Sequence, residues 1–172
     1  IYTEGSESNA AYLEYSNNPN DPTDMGKTLT KKTYTWTFKM DVNKIDAENT
    51  PLTGAKFVLS TKSGLAVADL KCDENGVPSV TENLIGFIDN GDKTYTVAPA
   101  GTADVTYVLE AGNVTIKGLD DSVNYYLYET KAPVGYNLKK EPVKISISSG
   151  NYSADGSALD GTPSVSVDDG AA

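Results

Sequence analysis

A chain of 172 residues holds enough material for one large domain, or one domain with a fragment of another. Its formal charge of −10 argues against nucleic acid or anionic lipid as a partner, while 38% hydrophobic residues allow a core. The single cysteine, Cys72, excludes an internal disulfide, and the lack of histidine removes both a Cys/His zinc cluster and a histidine base.

Residues 1–33 differ in character from the rest of the chain. Residues 11–17 have strand propensity, and 18–26 (NPNDPTDMG) are dense in turn formers and read as a linker. Between residues 34 and 46 the even positions Tyr34, Trp36, Phe38, Met40 and Val42 alternate with Thr35, Thr37, Lys39, Asp41 and Asn43, the pattern of a half-buried strand. The next even position is Lys44, so a lysine closes the stripe that faces the core. Residues 46–51 are turn material and 57–59 begin the return strand, with Gly54 fitting a bulge or close backbone approach.

The stretch from 60 to 113 carries less pattern. Residues 94–97 and 105–109 read as strands, a short helix is expected around 79–85, and glycines punctuate the rest. A further strand starts at 114–116 and leads through Gly118 and Leu119 to a turn at 120–122. In 123–129 the odd positions Val123, Tyr125 and Leu127 form an apolar stripe whose fourth member is Glu129. Pro133 and Gly135 then fix a bend from which Tyr136 is expected to fold back over the glutamate. Val143, Ile145 and Ile147 mark one more half-buried strand, 149–162 a long turn, and 164–169 the last strand.

Two inward stripes thus end in ionisable groups, Lys44 and Glu129. A buried amine and carboxyl acting on each other need this arrangement, although two stripes ending at a wet rim would leave the same pattern.

Three motifs carry a resemblance: KxD at 44–46, LxGAxFxL at 52–59 and YxLxETxAPxGY at 126–136, in that order within about 34–147. In these the chain resembles the Cna-B-type domain of Gram-positive pilins and cell-wall surface adhesins. The resemblance implies an all-β, Ig-like β-sandwich over 34–172, with about 65–105 as an insertion. It implies that residues 1–18 are the closing strand of a preceding domain and 19–33 a linker, with Asn17 as that domain's bond acceptor. An extra edge strand of the one domain present is the alternative for 9–17.

The resemblance further implies that Lys44 bonds covalently to an Asn or Asp side chain on the closing strand, helped by Glu129. The pattern VxVxD is met by residues 165–169, with Asp169 on the inward parity. An acceptor in a strand beyond Ala172, or Asn151, are the alternatives. The chemistry is self-consistent. A protonated lysine is no nucleophile, but burial penalises the charged forms of both groups, so a neutral amine can meet a neutral acid. The acid then polarises the acceptor carbonyl and relays the proton required by the leaving group.

Other features point elsewhere or nowhere. Lys56 is expected to be solvated, and Cys72 to be a buried or incidental thiol. Asp41, Asp46, Asp120 and Asp121 lack the spacing of a calcium loop, so no metal and no cofactor is expected. Tyr126 and Tyr128 fall on the outer face, where they would serve a rival reading as an adhesin or carbohydrate-binding module. The sequence lacks both a membrane-length apolar run and the YPK-type motif of pilins. The resemblance implies a piece of a longer secreted protein at the cell wall or pilus surface: a shaft module, not an enzyme. Its expected partners are neighbouring pilin subunits or domains and sortase during assembly, with a host ligand as a further candidate.

Overall fold

The computed structural model describes residues 2–169. In chain order its strands are β1 (Tyr2–Ala11), β2 (Glu14–Ser16), β3 (Met25–Lys27), β4 (Lys31–Val42), β5 (Lys56–Ser60), β6 (Phe87–Asp89), β7 (Thr94–Val97), β8 (Leu109–Glu110), β9 (Val114–Leu119), β10 (Asn124–Lys131), β11 (Val143–Ser148), β12 (Asn151–Tyr152), β13 (Leu159–Asp160) and β14 (Ser164–Asp168). One 3-10 turn, Val67–Leu70, interrupts them. The all-β, Ig-like β-sandwich that the resemblance implies is what forms.

Two five-stranded sheets face each other, ordered β1-β4-β9-β7-β6 and β14-β11-β10-β5-β8. The alternation in β4 decides its face: Phe38 and Met40 are buried, while Thr35 and Asp41 are exposed. Phe38, Met40, Ile116 and Leu119 from the first sheet pack against Phe57, Leu59, Tyr125, Leu127, Ile145 and Ile147 from the second. Where β9 runs beside β4 it carries one extra residue between Ile116 and Leu119, and Gly118, at φ 77°, turns the backbone there.

Residues 65–105 do two jobs. Their first half lies over the outer face of the second sheet, where Leu70 packs with Val58 and Tyr128 in a separate cluster joined by Leu65, Val67, Cys72, Leu84 and Tyr126. Tyr128 is therefore only 1% exposed, and its hydroxyl is held between the Leu65 N–H and the Lys62 carbonyl. The expected outward-facing tyrosine pair does not exist as a surface. Burial also pushes the Cys72 thiol up from its ordinary value, away from reactivity. Their second half adds β6 and β7 to the first sheet and puts Phe87 and Tyr95 in the core.

The helix expected around 79–85 is absent. A single turn closes there from the Leu84 N–H to the Thr81 carbonyl, and Asn83 takes φ 69°, which a right-handed helix cannot contain. Lys56 also differs from expectation, since it pairs with Glu110 at 3.4 Å across the β5–β8 edge.

At the N-terminal side, β1 runs antiparallel along β4, from Tyr2 opposite Lys39 to Ala11 opposite Lys31. Every described side chain of β1 is exposed, so these residues are attached by the backbone ladder and not by core packing. The β2–β3 hairpin comes next, with Tyr12, Leu13, Tyr15 and Met25 exposed around it.

The long turn after β11 contains the small β12–β13 hairpin. It is fastened to β4 by the Trp36 indole N–H, which donates to the Gly156 carbonyl at 2.9 Å. Asp155 organises the tip: the Ser157 hydroxyl and N–H and the Ser153 hydroxyl all donate to its carboxylate. These donors hold Asp155 down from 3.8 to about 2. A depressed carboxyl contributes stability that is complete above the ordinary value and is lost as pH falls through about 2.

Two measurements check this fold. Phe38→Ala is expected to cost about 3–5 kcal/mol in urea denaturation and Thr35→Ala within about 1 kcal/mol; similar small effects would mean a register shifted by one residue. Carboxyl NMR should find Asp155 titrating near 2, and Ser157→Ala should raise that midpoint. A normal midpoint in the wild type would mean that the serine donors do not hold Asp155 in solution.

Candidate functional site

Lys44 lies two residues beyond the end of β4, and a tight turn fixes it. The Asp46 carboxylate accepts the Glu48 and Thr50 N–H groups, which folds residues 46–51 back so that the Leu52 N–H donates to the Lys44 carbonyl at 2.8 Å. Gly54, at φ 84°, then admits the chain to β5; no atom lies close to its missing Cβ, so its backbone conformation is what calls for glycine. The Lys44 side chain continues the Met40 and Val42 stripe but remains 27% exposed. It is at the lip of the core, because the ladder that would cover it has already ended.

Glu129 is deeper. It sits on β10 opposite Phe57, where Thr130 is an extra residue relative to β5 and bends the strand. The Thr130 hydroxyl donates to the Gly76 carbonyl at 2.7 Å, which ties this bulge to the covering segment. Leu127 and Glu129 consequently both face inward, and the Glu129 side chain is 1% exposed.

The two carboxylate oxygens of Glu129 have different surroundings. Oε2 accepts the Lys139 backbone N–H at 2.7 Å. Oε1 lies 3.2 Å from Lys44 Nζ, within ion-pair range, but the ammonium is out of line for a hydrogen bond, and among the described residues no other donor reaches that oxygen. A buried oxygen with unused acceptor capacity is costly unless another group joins it. Tyr136, expected to fold back over the glutamate, is 49% exposed, and the donor that reaches Glu129 from this loop is the Lys139 N–H.

Beside the pair is a cleft of about 290 Å³, with Met40, Val42, Phe57 and Leu127 on its walls, Val165 and Val167 along one side, and Lys44 and Lys139 at its mouth. Asp169 comes after Val167 on the same parity, and its carbonyl accepts the Lys139 ammonium at 2.6 Å. The structure thus brings Lys44 and Glu129 together and places Asp169 at the same end of the sandwich.

Asn151 is elsewhere. It belongs to the β12–β13 hairpin, whose Tyr152 is 6.4 Å from Trp36, and Trp36 is eight residues or roughly 26 Å along the strand from Lys44. Asn17 lies in the N-terminal hairpin, where its side-chain amide donates to Asp24 at 3.1 Å. Sequence reasoning missed Lys139. It lies in an irregular loop without periodicity, and its contact with Glu129 is made by a backbone atom that every residue except proline has. Among the described residues there is no cluster of His, Cys, Asp or Glu that could hold a metal ion, and no helix is long and apolar enough to cross a membrane.

Chemically, this is an amine and a carboxyl at proton-transfer distance, with an apolar cleft alongside. The carboxyl can take a proton from the amine and give it to a third group entering the cleft.

Comparison with known proteins gives a consistent result. The family model described as SpaA, a prealbumin-like fold domain, matches residues 38–158. The chain is 35% identical over 106 residues to a fimbrial subunit type 1 of Actinomyces viscosus, a match covering 56% of this chain and 18% of that protein. It also resembles the crystal structure of a 35 kDa C-terminal fragment of the major pilin GBS80 of Streptococcus agalactiae, with a TM-score of 0.53 and 25% identity. That match covers 81% of this chain and 44% of the other. The chain spans less than half the length of each of these relatives.

The two-sided environment of Glu129 makes a prediction that does not depend on any reaction. Glu129→Gln keeps an acceptor for the Lys139 N–H, whereas Glu129→Leu leaves that donor unpaired, so the leucine variant should be less stable than the glutamine variant by about 1–3 kcal/mol in urea denaturation. Equal stability of the two would mean that the Lys139 contact is not made in solution.

Proposed function

Because this chain belongs to the family of SpaA prealbumin-like fold domains found in Gram-positive pilins, we propose that it is a structural module of a pilus shaft, held together internally by a covalent amide between Lys44 and an Asn or Asp side chain. The observation that carries this reading is the Lys44 amine 3.2 Å from a buried Glu129 oxygen that has no other partner among the described residues, beside an open cleft. A lone buried pair is a poor source of stability, because desolvating each charge costs several kcal/mol before attraction repays it. An amide in the same place carries no charge.

The step balances. Glu129 accepts a proton from the Lys44 ammonium, and the neutral amine attacks the acceptor's side-chain carbonyl carbon. The new C–N bond forms as the C–N bond of a carboxamide, or the C–O bond of a carboxylic acid, breaks. The carboxyl of Glu129 gives its proton to the leaving group, so ammonia departs from Asn or water from Asp, and the carboxylate so regenerated takes the second proton that the new amide nitrogen sheds. This happens once per molecule, so the domain modifies itself and turns over nothing. Asp169 is the acceptor candidate within the described residues, and an Asn or Asp in sequence following Ala172 is the alternative.

The reading that residues 1–18 close a preceding domain, with Asn17 as that domain's acceptor and 19–33 as the link to residues 34–172, competes with the β1–β4 ladder, in which residues 2–11 form an edge strand of this sheet. The exposed Tyr12, Leu13, Tyr15 and Met25 suit a segment whose apolar side is completed by an upstream neighbour. The module works at the cell surface, joined to other pilin subunits, with sortase acting during assembly.

Intact mass spectrometry tests the bond. The mass should fall by about 17 Da for an Asn acceptor or about 18 Da for Asp, as the leaving groups require. Lys44→Ala and Glu129→Ala should each restore full mass and lower the melting temperature. A wild-type chain extended beyond Ala172 that still shows full mass would end this reading and leave Lys44 and Glu129 as an ordinary rim pair.

A further inference from the structure

We propose that Lys139 is a positioning residue for the cross-link, setting the glutamate and the closing segment relative to each other through its backbone and side chain at once. The inference rests on the amide-forming reading of the site. Its basis is that one residue touches both halves of that site. The Lys139 N–H holds Glu129 Oε2 at 2.7 Å, and the Lys139 Nζ donates to the Asp169 carbonyl at 2.6 Å, just past the end of β14.

Each contact removes a specific freedom. A carboxyl group can rotate about its terminal bond, and either oxygen could then face Lys44. With Oε2 occupied by a backbone donor, Oε1 is the oxygen presented to the amine, in one orientation. The closing segment has a comparable problem. β14 is an edge strand whose five residues are all exposed; its ladder to β11 holds it as far as Asp168, opposite Lys144, and little apolar burial adds to that hold. A charge-assisted hydrogen bond to the carbonyl of Asp169 carries the hold one residue past the ladder's end. Whichever side chain serves as acceptor, Asp169 or one further along, its backbone approaches the cleft from a point that Lys139 holds. Such positioning matters because a displacement of about 1 Å can cost a hundredfold in rate.

The neighbouring Lys140 provides an internal control. It has the same charge and is exposed, while Lys139 is half-buried at the mouth of the cleft. General electrostatic attraction would therefore treat the two alike, and a specific hold on Asp169 would not.

The experiment uses the chain extended through its acceptor and tracks cross-linked fraction by intact mass against time after synthesis. Lys139→Ala retains the backbone contact and removes only the side-chain hold. It should slow bond formation about ten- to a hundredfold, the size expected for one charge-assisted hydrogen bond, with Lys139→Arg restoring most of the rate and Lys140→Ala leaving it unchanged. In a Lys44→Ala background, where no bond can form, Lys139→Ala should also speed amide hydrogen exchange over residues 164–169. A bonded wild type with Lys139→Ala reacting at the wild-type rate would overturn the positioning role and leave the cross-link standing. Equal slowing by Lys140→Ala would reduce the effect to overall charge and overturn it too. A wild type at full mass would instead remove the reaction, and the positioning role with it.

Discussion

A carboxyl group shut inside an all-β core is the constraint on which the rest of this molecule depends. Glu129 is nearly solvent-free, and an uncompensated charge in such a place would cost more than most single interactions in a domain contribute. Several features at this end of the sandwich answer to it. The Thr130 bulge bends the strand beside it, the turn organised by Asp46 holds the lysine opposite, and the loop between β10 and β11 returns to supply an N–H. What remains unanswered is one oxygen, and the cleft opens beside the pair that contains it.

Strand periodicity makes much of this legible in the amino-acid sequence. The inward stripes of β4 and β10 are both buried against the core, and the residue that ends each stripe is ionisable, Lys44 at the lip and Glu129 inside. The three motifs add the identity of the fold. Thr130 in the ETxAP block shows why such a motif is compact: Glu129 faces inward, Thr130 ties the bulge to Gly76, and Pro133 begins the bend that leads to Lys139.

The features that escape a sequence reading have no local signature. β1 contains little alternation, and it becomes a strand only because β4 offers a free edge. The cover formed by Leu65, Val67 and Leu70 lies in a stretch where neither a period of two nor a helical period holds, so nothing nearby in the chain signals its effect on Tyr128. For the same reason the outward parity of Tyr126 and Tyr128 does not make an exposed face. Parity tells which sheet face a residue is on, and only the tertiary structure tells whether that face is wet.

The antiparallel course of β1 has a mechanical consequence. Residue 2 lies opposite Lys39, and Asp169 is tethered by Lys139 near the same pole, so a pull applied at these two points enters and leaves the sandwich on one side. β1 would then be loaded in an unzipping geometry, its hydrogen bonds meeting the force one pair at a time, with none of its described side chains buried to resist. Once it has peeled away and the β2–β3 hairpin has opened, residues 2–30 would extend by roughly 100 Å before tension reached β4. Under a sudden tug, peeling β1 and drawing out that slack would absorb work before the packed sheets behind it were loaded.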